Sequence, residues 1–233
     1  MPKTILRGIF ALGVAALVLL LVFHDGVIDR AISDAFYDHT IRQFVAKENA
    51  LIDLVLYRGA KVAMTIFAFA LAGLAIWQIR AGHPVLRLRH LAIGVLGSIL
   101  IPLVIATLKN KTGVECPWSL TQYGGAMPYM TLWESLSSPD SAGRCFPAGH
   151  AGGGFILFPW AVCYFRANTR LALLLAYGGV FFGGLMGLTR IAQGAHFFSH
   201  TLWAAWVALC ITLILSAIFL PKIHATQAEQ THA

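Results

Sequence analysis

"CFPAGHAGGGFILFPWAVCYF", Cys145 to Phe165, opens on turn residues and a histidine and continues as an unbroken apolar run. Whether its segment 151–165 crosses a membrane decides the fold. A hydrocarbon core about 30 Å thick takes roughly 20 apolar residues per helical crossing, so this run is short. Its company settles the reading. Five longer apolar runs lie at about 5–23, 60–79, 90–108, 171–189 and 201–220. The 233-residue chain is 58% hydrophobic and 12% charged, with mean hydropathy +0.73. Soluble domains carry about 25% charged residues. These features predict an all-α polytopic membrane protein, a six-transmembrane-helix bundle forming a single membrane domain over 1–233. There is no internal repeat, low-complexity tract or flexible linker.

Basic residues orient the bundle. Lys3 precedes the first run and Arg7 lies at its start, Arg80, Arg87 and Arg89 lie between the second and third, Arg166 and Arg170 between the fourth and fifth, and Lys222 after the sixth. Short loops rich in Lys and Arg stay in the cytoplasm, which predicts that both termini are cytoplasmic. The connections 24–59, 109–150 and 190–200 then face outward, toward the periplasm if this is a bacterial inner-membrane protein. The net charge of +7 is largely this bias and gives no nucleic-acid footprint. The first run is longer than a signal-peptide core and lacks a small-x-small cleavage site, so it reads as an uncleaved anchor. After it, the stretch from Asp29 to Lys61 mixes charges with spaced apolar residues and predicts an amphipathic helix along the membrane surface. Its alternative is a solvated loop.

Cys163 and Cys210 fall inside apolar runs as buried thiols. Cys116 and Cys145 share one outward loop, where an oxidising compartment makes them disulfide candidates. No Cys-x-x-Cys pair suggests zinc.

Three clusters land on the outward face: "LKNKTGVECPW" with Lys109 and Lys111, "CFPAGHAGGGF" with His150, and "GLTRIAQGAHFFSHTLW" with Arg190, His196 and His200. Each has a plain structural reading. A lysine at a helix end snorkels, Gly152-Gly153-Gly154 makes a close helix-packing face, and interfacial histidines hydrogen-bond. His196 and His200, four apart, share a helix face and could also hold a metal. Together, Lys, Arg and His converging with scarcely any acid describe an anion site, and phosphate is the obvious anion at a membrane surface. The opening stretch fits that role. A helix start presents unpaired N–H groups and partial positive charge. Gly149 lets the backbone approach an anion, and Pro147 shapes the turn.

The order Lys109–six residues–Cys116-Pro117, then Pro147-Ala148-Gly149-His150, then Thr189-Arg190–five residues–His196–three residues–His200 resembles the type 2 phosphatidic acid phosphatase superfamily, which includes vanadium haloperoxidases. The family pattern is Lys–six–Arg-Pro, Pro-Ser-Gly-His and Ser-Arg–five–His–three–Asp, and the likeness runs from about 90 to 220. Cys116 stands in place of arginine, Ala148 in place of serine, Thr189 in place of serine and His200 in place of aspartate.

The resemblance implies a metal-independent phosphatase or phosphotransferase without cofactor, acting on a lipid phosphate or polyprenyl diphosphate. His196 would attack phosphorus and His150 serve the leaving oxygen. Lys109, Arg190 and the Ala148-Gly149 turn would bind the phosphate, with Arg144 a candidate for the charge missing at Cys116. His200 would accept the proton of His196 and orient it. The alternatives are an impaired relative that binds lipid phosphate, and a membrane metal or haem protein using the histidines.

Overall fold

The computed structural model describes residues 3–138 and 143–220. Ten helices dominate it: α1 Lys3–Val22, α2 Val27–Asp34, α3 Ala50–Ile52, α4 Ala60–Arg80, α5 Leu88–Lys109, α6 Leu132–Ser137, α7 Gly149–Phe155, α8 Leu157–Tyr164, α9 Thr169–Ala192 and α10 Phe198–Phe219. A π-helical segment, Asp53–Gly59, joins α3 to α4. Helices α1, α5, α9, α10 and the continuous stretch Ala50–Arg80 are each long and apolar enough to cross a membrane. The protein is therefore an all-α, multi-pass membrane protein.

The expected fourth crossing is built as two short helices. Pro159 has no N–H to give the Phe155 carbonyl, and the helix breaks at Ile156 between α7 and α8. This pair sits in the middle of the bundle against α5, α9 and α10. Irregular backbone at membrane depth is tolerated where protein rather than lipid surrounds it. Glycines let the helices close in. A Cβ at Gly154 would strike the backbone of Gly183 in α9, and one at Gly94 or Gly97 of α5 would strike Trp160 or Pro159 of α8. Part of the triple glycine is thus a packing face. Gly153, by contrast, borders a cavity.

The amphipathic helix expected between Asp29 and Lys61 is corrected by the structure. Only α2 keeps that character. Tyr37–Asp38 then pairs antiparallel with Gln43–Phe44. Asp38 Oδ1 accepts from the N–H groups of Thr40 (2.8 Å) and Ile41 (3.2 Å), a local turn that competes with helix. Asn49 restarts the helix by accepting from Ile52 N–H at 3.0 Å. The long helix therefore begins ten residues before the apolar run suggested. The hairpin supplies Tyr37 and Phe44 to a small aromatic cluster with Leu120, Tyr123 and Phe197, which caps the bundle over the α9–α10 link.

Candidate active site

The α9–α10 link places Arg190 and His196. Arg190 ends α9, and the chain reverses at Gly194 with φ 72°. Gly194 N–H and Ala195 N–H close the helix end on the carbonyls of Ile191 and Arg190, both at 2.8 Å. An alanine at 194 would be strained and would also strike the Phe44 ring. His196 follows, 3% exposed.

The His196 Nδ1–H donates to the Cys145 carbonyl at 2.7 Å. This fixes the tautomer and leaves the Nε2 lone pair free. Burial, then the His200 ring and the charges of Lys109 and Arg190, hold its pKa well below the ordinary histidine value. The imidazole is therefore neutral at neutral pH. Cys145 is tied in turn: it forms a disulfide with Cys116, Cα atoms 5.2 Å apart, and its N–H donates to Val114 O at 2.9 Å. Thr112 Oγ1 donates to Phe146 O at 2.8 Å. The end of the "KNKTGVEC" stretch and the start of the "CFPAGH" stretch are thus stitched together beneath His196.

His200 does not make the bond expected of it, because the Cys145 carbonyl has taken the His196 proton. Its ring lies 5.8 Å from that of His196, centroid to centroid, and edge-on to Phe146 (5.2 Å) and Phe197 (5.4 Å). Its Nδ1 is buried without a partner among the described residues. Its backbone carbonyl accepts from Ala148 N–H at 3.0 Å. That bond uses the N–H that the motif would have offered to phosphate, and the Ala148 side chain is fully buried.

Lys109 and Gly149 line a cavity of about 480 Å³ together with His150, Tyr57, Lys61 and Ser98. Arg190 adjoins that wall through Tyr57, its Cζ 4.7 Å from the ring centroid, with Trp118 at 5.6 Å. Its Nη1 donates to Gln193 Oε1 at 2.7 Å, and among the described residues it has no carboxylate partner. His150 Nε2–H donates to the Leu56 carbonyl at 3.0 Å, leaving Nδ1 free to hold or release a proton. Arg190 and His196 are not among the cavity residues themselves but act on that wall and on each other. Arg144 is exposed and has no contact with this group among the described residues.

Motif reading missed several neighbours. Asp29 of α2 reaches across 170 residues to the start of α10, where its carboxylate accepts from Ser199 N–H (2.8 Å) and Ser199 Oγ (2.5 Å). It caps the helix that carries His200 and directly follows His196. Burial raises its pKa to about 6 despite the Ser199 bonds that oppose the rise. Tyr57, the Leu56 carbonyl and Gln193 were missed as well. A backbone carbonyl or an isolated tyrosine in an apolar helix carries no spacing signature.

The profile of the PAP2 superfamily matches residues 88–223, more than half of the chain. The chain belongs to the PAP2 superfamily. This is the type 2 phosphatidic acid phosphatase group that the three motifs resemble, and membership points to phosphatase-type activity on phosphate esters. No curated protein and no solved structure matches the chain. The match begins at the start of α5, so all three clusters fall within it. Asp29, Leu56 and Tyr57 lie outside it.

Proposed function

We propose that this PAP2 protein hydrolyses or transfers the phosphate of a membrane lipid phosphate or polyprenyl diphosphate through a phosphohistidine on His196, without a metal. The observation that carries the reading is the neutral His196 imidazole, donating Nδ1–H to Cys145 O beside two cations. In the first step Nε2 attacks phosphorus as the P–O bond to the leaving group breaks, and protonated His150 gives a proton to the departing oxygen. In the second, water attacks phosphorus as the P–N bond breaks. Its proton passes to His150, and phosphate leaves. Lys109 and Arg190 stabilise the charge on the equatorial oxygens. The orienting task of the family's aspartate falls to the Cys145 carbonyl, a dipole rather than a full charge.

The cavity's shape supports a lipid substrate. Beyond Lys109 and His150 it runs between α4 and α5 past Thr65, Ser98 and Pro102. Thr65, Ser98 and Ile156 also border a second space of about 270 Å³, lined by Ala68, Phe69, Ala72, Val95, Ile99 and Trp160. From Lys109 to Val95 the groove follows α5 for about 21 Å at 1.5 Å per residue. One end suits phosphate and the other hydrocarbon. The positive-inside asymmetry puts the phosphate end on the outer face, periplasmic in a bacterial inner membrane.

Phosphate release by purified protein across a panel of lipid phosphates and diphosphates tests the reading. Release should persist in excess chelator, stop with vanadate, and disappear in His196→Ala, with acid-labile phosphate trapped only on the wild type. Chelator-sensitive activity restored by zinc would overturn it.

A further inference from the structure

We infer that Tyr57 is a positioning residue of this site, its ring the shared surface that sets the Arg190 guanidinium and the His150 imidazole relative to each other. Arg190 Cζ stands 4.7 Å from the Tyr57 ring centroid, and the His150 ring stands 4.7 Å from the same ring. Tyr57 also borders the cavity that Lys109 and His150 line. One side chain thus touches the proposed phosphate-binding cation and the proposed proton donor. The inference rests on the phosphatase reading for what these two groups do, while their placement by Tyr57 is independent of it.

The backbone that carries Tyr57 reinforces the arrangement. Residues 53–59 are π-helical, and π turns recur at functional sites because they redirect one residue's backbone. Ala60 N–H donates to the carbonyls of Tyr57 and Val55 and bypasses Leu56. The Leu56 carbonyl accepts from His150 Nε2–H instead. Consecutive residues of one widened turn therefore hold His150 twice, by a hydrogen bond and by a ring contact. Asp53 and Arg58, five apart at the π spacing, form an ion pair at 2.9 Å across the same turn.

The Tyr57 hydroxyl has no hydrogen-bond partner among the described residues, so the ring face is the working part. A guanidinium over an aromatic face is attracted by the ring quadrupole. That attraction opposes the tendency of an unpaired Arg190 to swing toward water. With Gln193 on one Nη and Tyr57 beneath, Arg190 is held without a direct carboxylate ion pair among the described residues, Asp53 acting on it only through space.

The test uses full-length protein with orthovanadate as the binding probe and phosphate release as the second readout. Tyr57→Phe should keep vanadate affinity within about twofold, and Tyr57→Leu should weaken it by roughly fivefold or more. Phenylalanines bearing one, two and three fluorines at position 57 keep the ring's shape, and so the fold, while withdrawing charge from its face. Affinity should fall with each fluorine. An unchanged Tyr57→Leu, or a flat fluorine series, overturns the inference. Wild type that releases phosphate alongside a flat series leaves the phosphatase reading standing and removes Tyr57 from it. A graded series in protein that binds vanadate but never releases phosphate does the reverse. Wild type that neither binds nor releases overturns both.

Discussion

His196 Nδ1–H donates to the carbonyl of Cys145 at 2.7 Å, and Cys145 is covalently joined to Cys116, 29 residues earlier. The group that orients the candidate nucleophile is therefore itself held by a cross-link between two of the three motif loops. If the disulfide fixes that carbonyl, Cys116→Ser/Cys145→Ser should lower both stability and turnover. Closing a loop of this length contributes roughly 3–4 kcal/mol in the chain-entropy view. Thiol counting on unfolded, unreduced wild type should find only Cys163 and Cys210 free. Four free thiols, or a double variant with unchanged melting temperature, would contradict the link.

His200 stands where the family pattern has aspartate, yet its ring packs edge-on between Phe146 and Phe197. His200→Phe keeps that packing and removes a buried nitrogen without a partner, so it should fold at least as well and retain turnover within about threefold. His200→Ala, leaving a void, should be the more destabilised variant. A drop of more than about tenfold in His200→Phe, with binding intact, would return the orienting role to His200.

Asp29 carries a pH signature. Its folded pKa, about 6, lies above the ordinary 3.8 because burial opposes the charge. Between these values the native state binds the proton that the unfolded chain has lost. Asp29's contribution is therefore fully present below about pH 4 and is lost as pH rises through about 6, roughly 3 kcal/mol across the window. The Ser199 hydroxyl and the Ser199 and Phe198 backbone N–H groups act on this carboxyl, and its charge is felt by Tyr129. Asp29→Asn, which cannot ionise, should flatten the melting temperature over that range. Asp29→Ala should in addition lose the α10 cap, about 1 kcal/mol. A pH dependence identical in wild type and Asp29→Asn would defeat the assignment.

The groove between α4 and α5 predicts a chain-length effect. Ala72→Trp fills its apolar end, far from Lys109 and His150. Losing room for two methylenes, about 0.8 kcal/mol each, should raise KM for long-chain lipid phosphates about tenfold. The KM for a short, soluble phosphate ester should not move. Equal effects on both substrates would mean that the substituent disturbs the bundle rather than a tail site.

Hydropathy alone determined the helical membrane plan, since the cost of exposing charge and backbone to lipid leaves few alternatives. Lys109, His150, Arg190 and His196 could be named as candidates because their spacing to helix ends is local, and the fold brings them within electrostatic reach of one another. Tertiary structure decided what holds them. The Cys145 carbonyl, rather than His200, takes the His196 proton. Asp29 caps a helix that begins 169 residues later in the chain. Tyr57 meets Arg190 and His150 only because a π turn faces them across the bundle. The expected surface helix gave way to a hairpin because Asp38 could bond its own turn and Tyr37 and Phe44 had an aromatic cluster to join. Periodicity records which face of a segment avoids water. It does not record which backbone carbonyl, cap or ring a distant segment will bring to it, because those partners are chosen by packing in three dimensions.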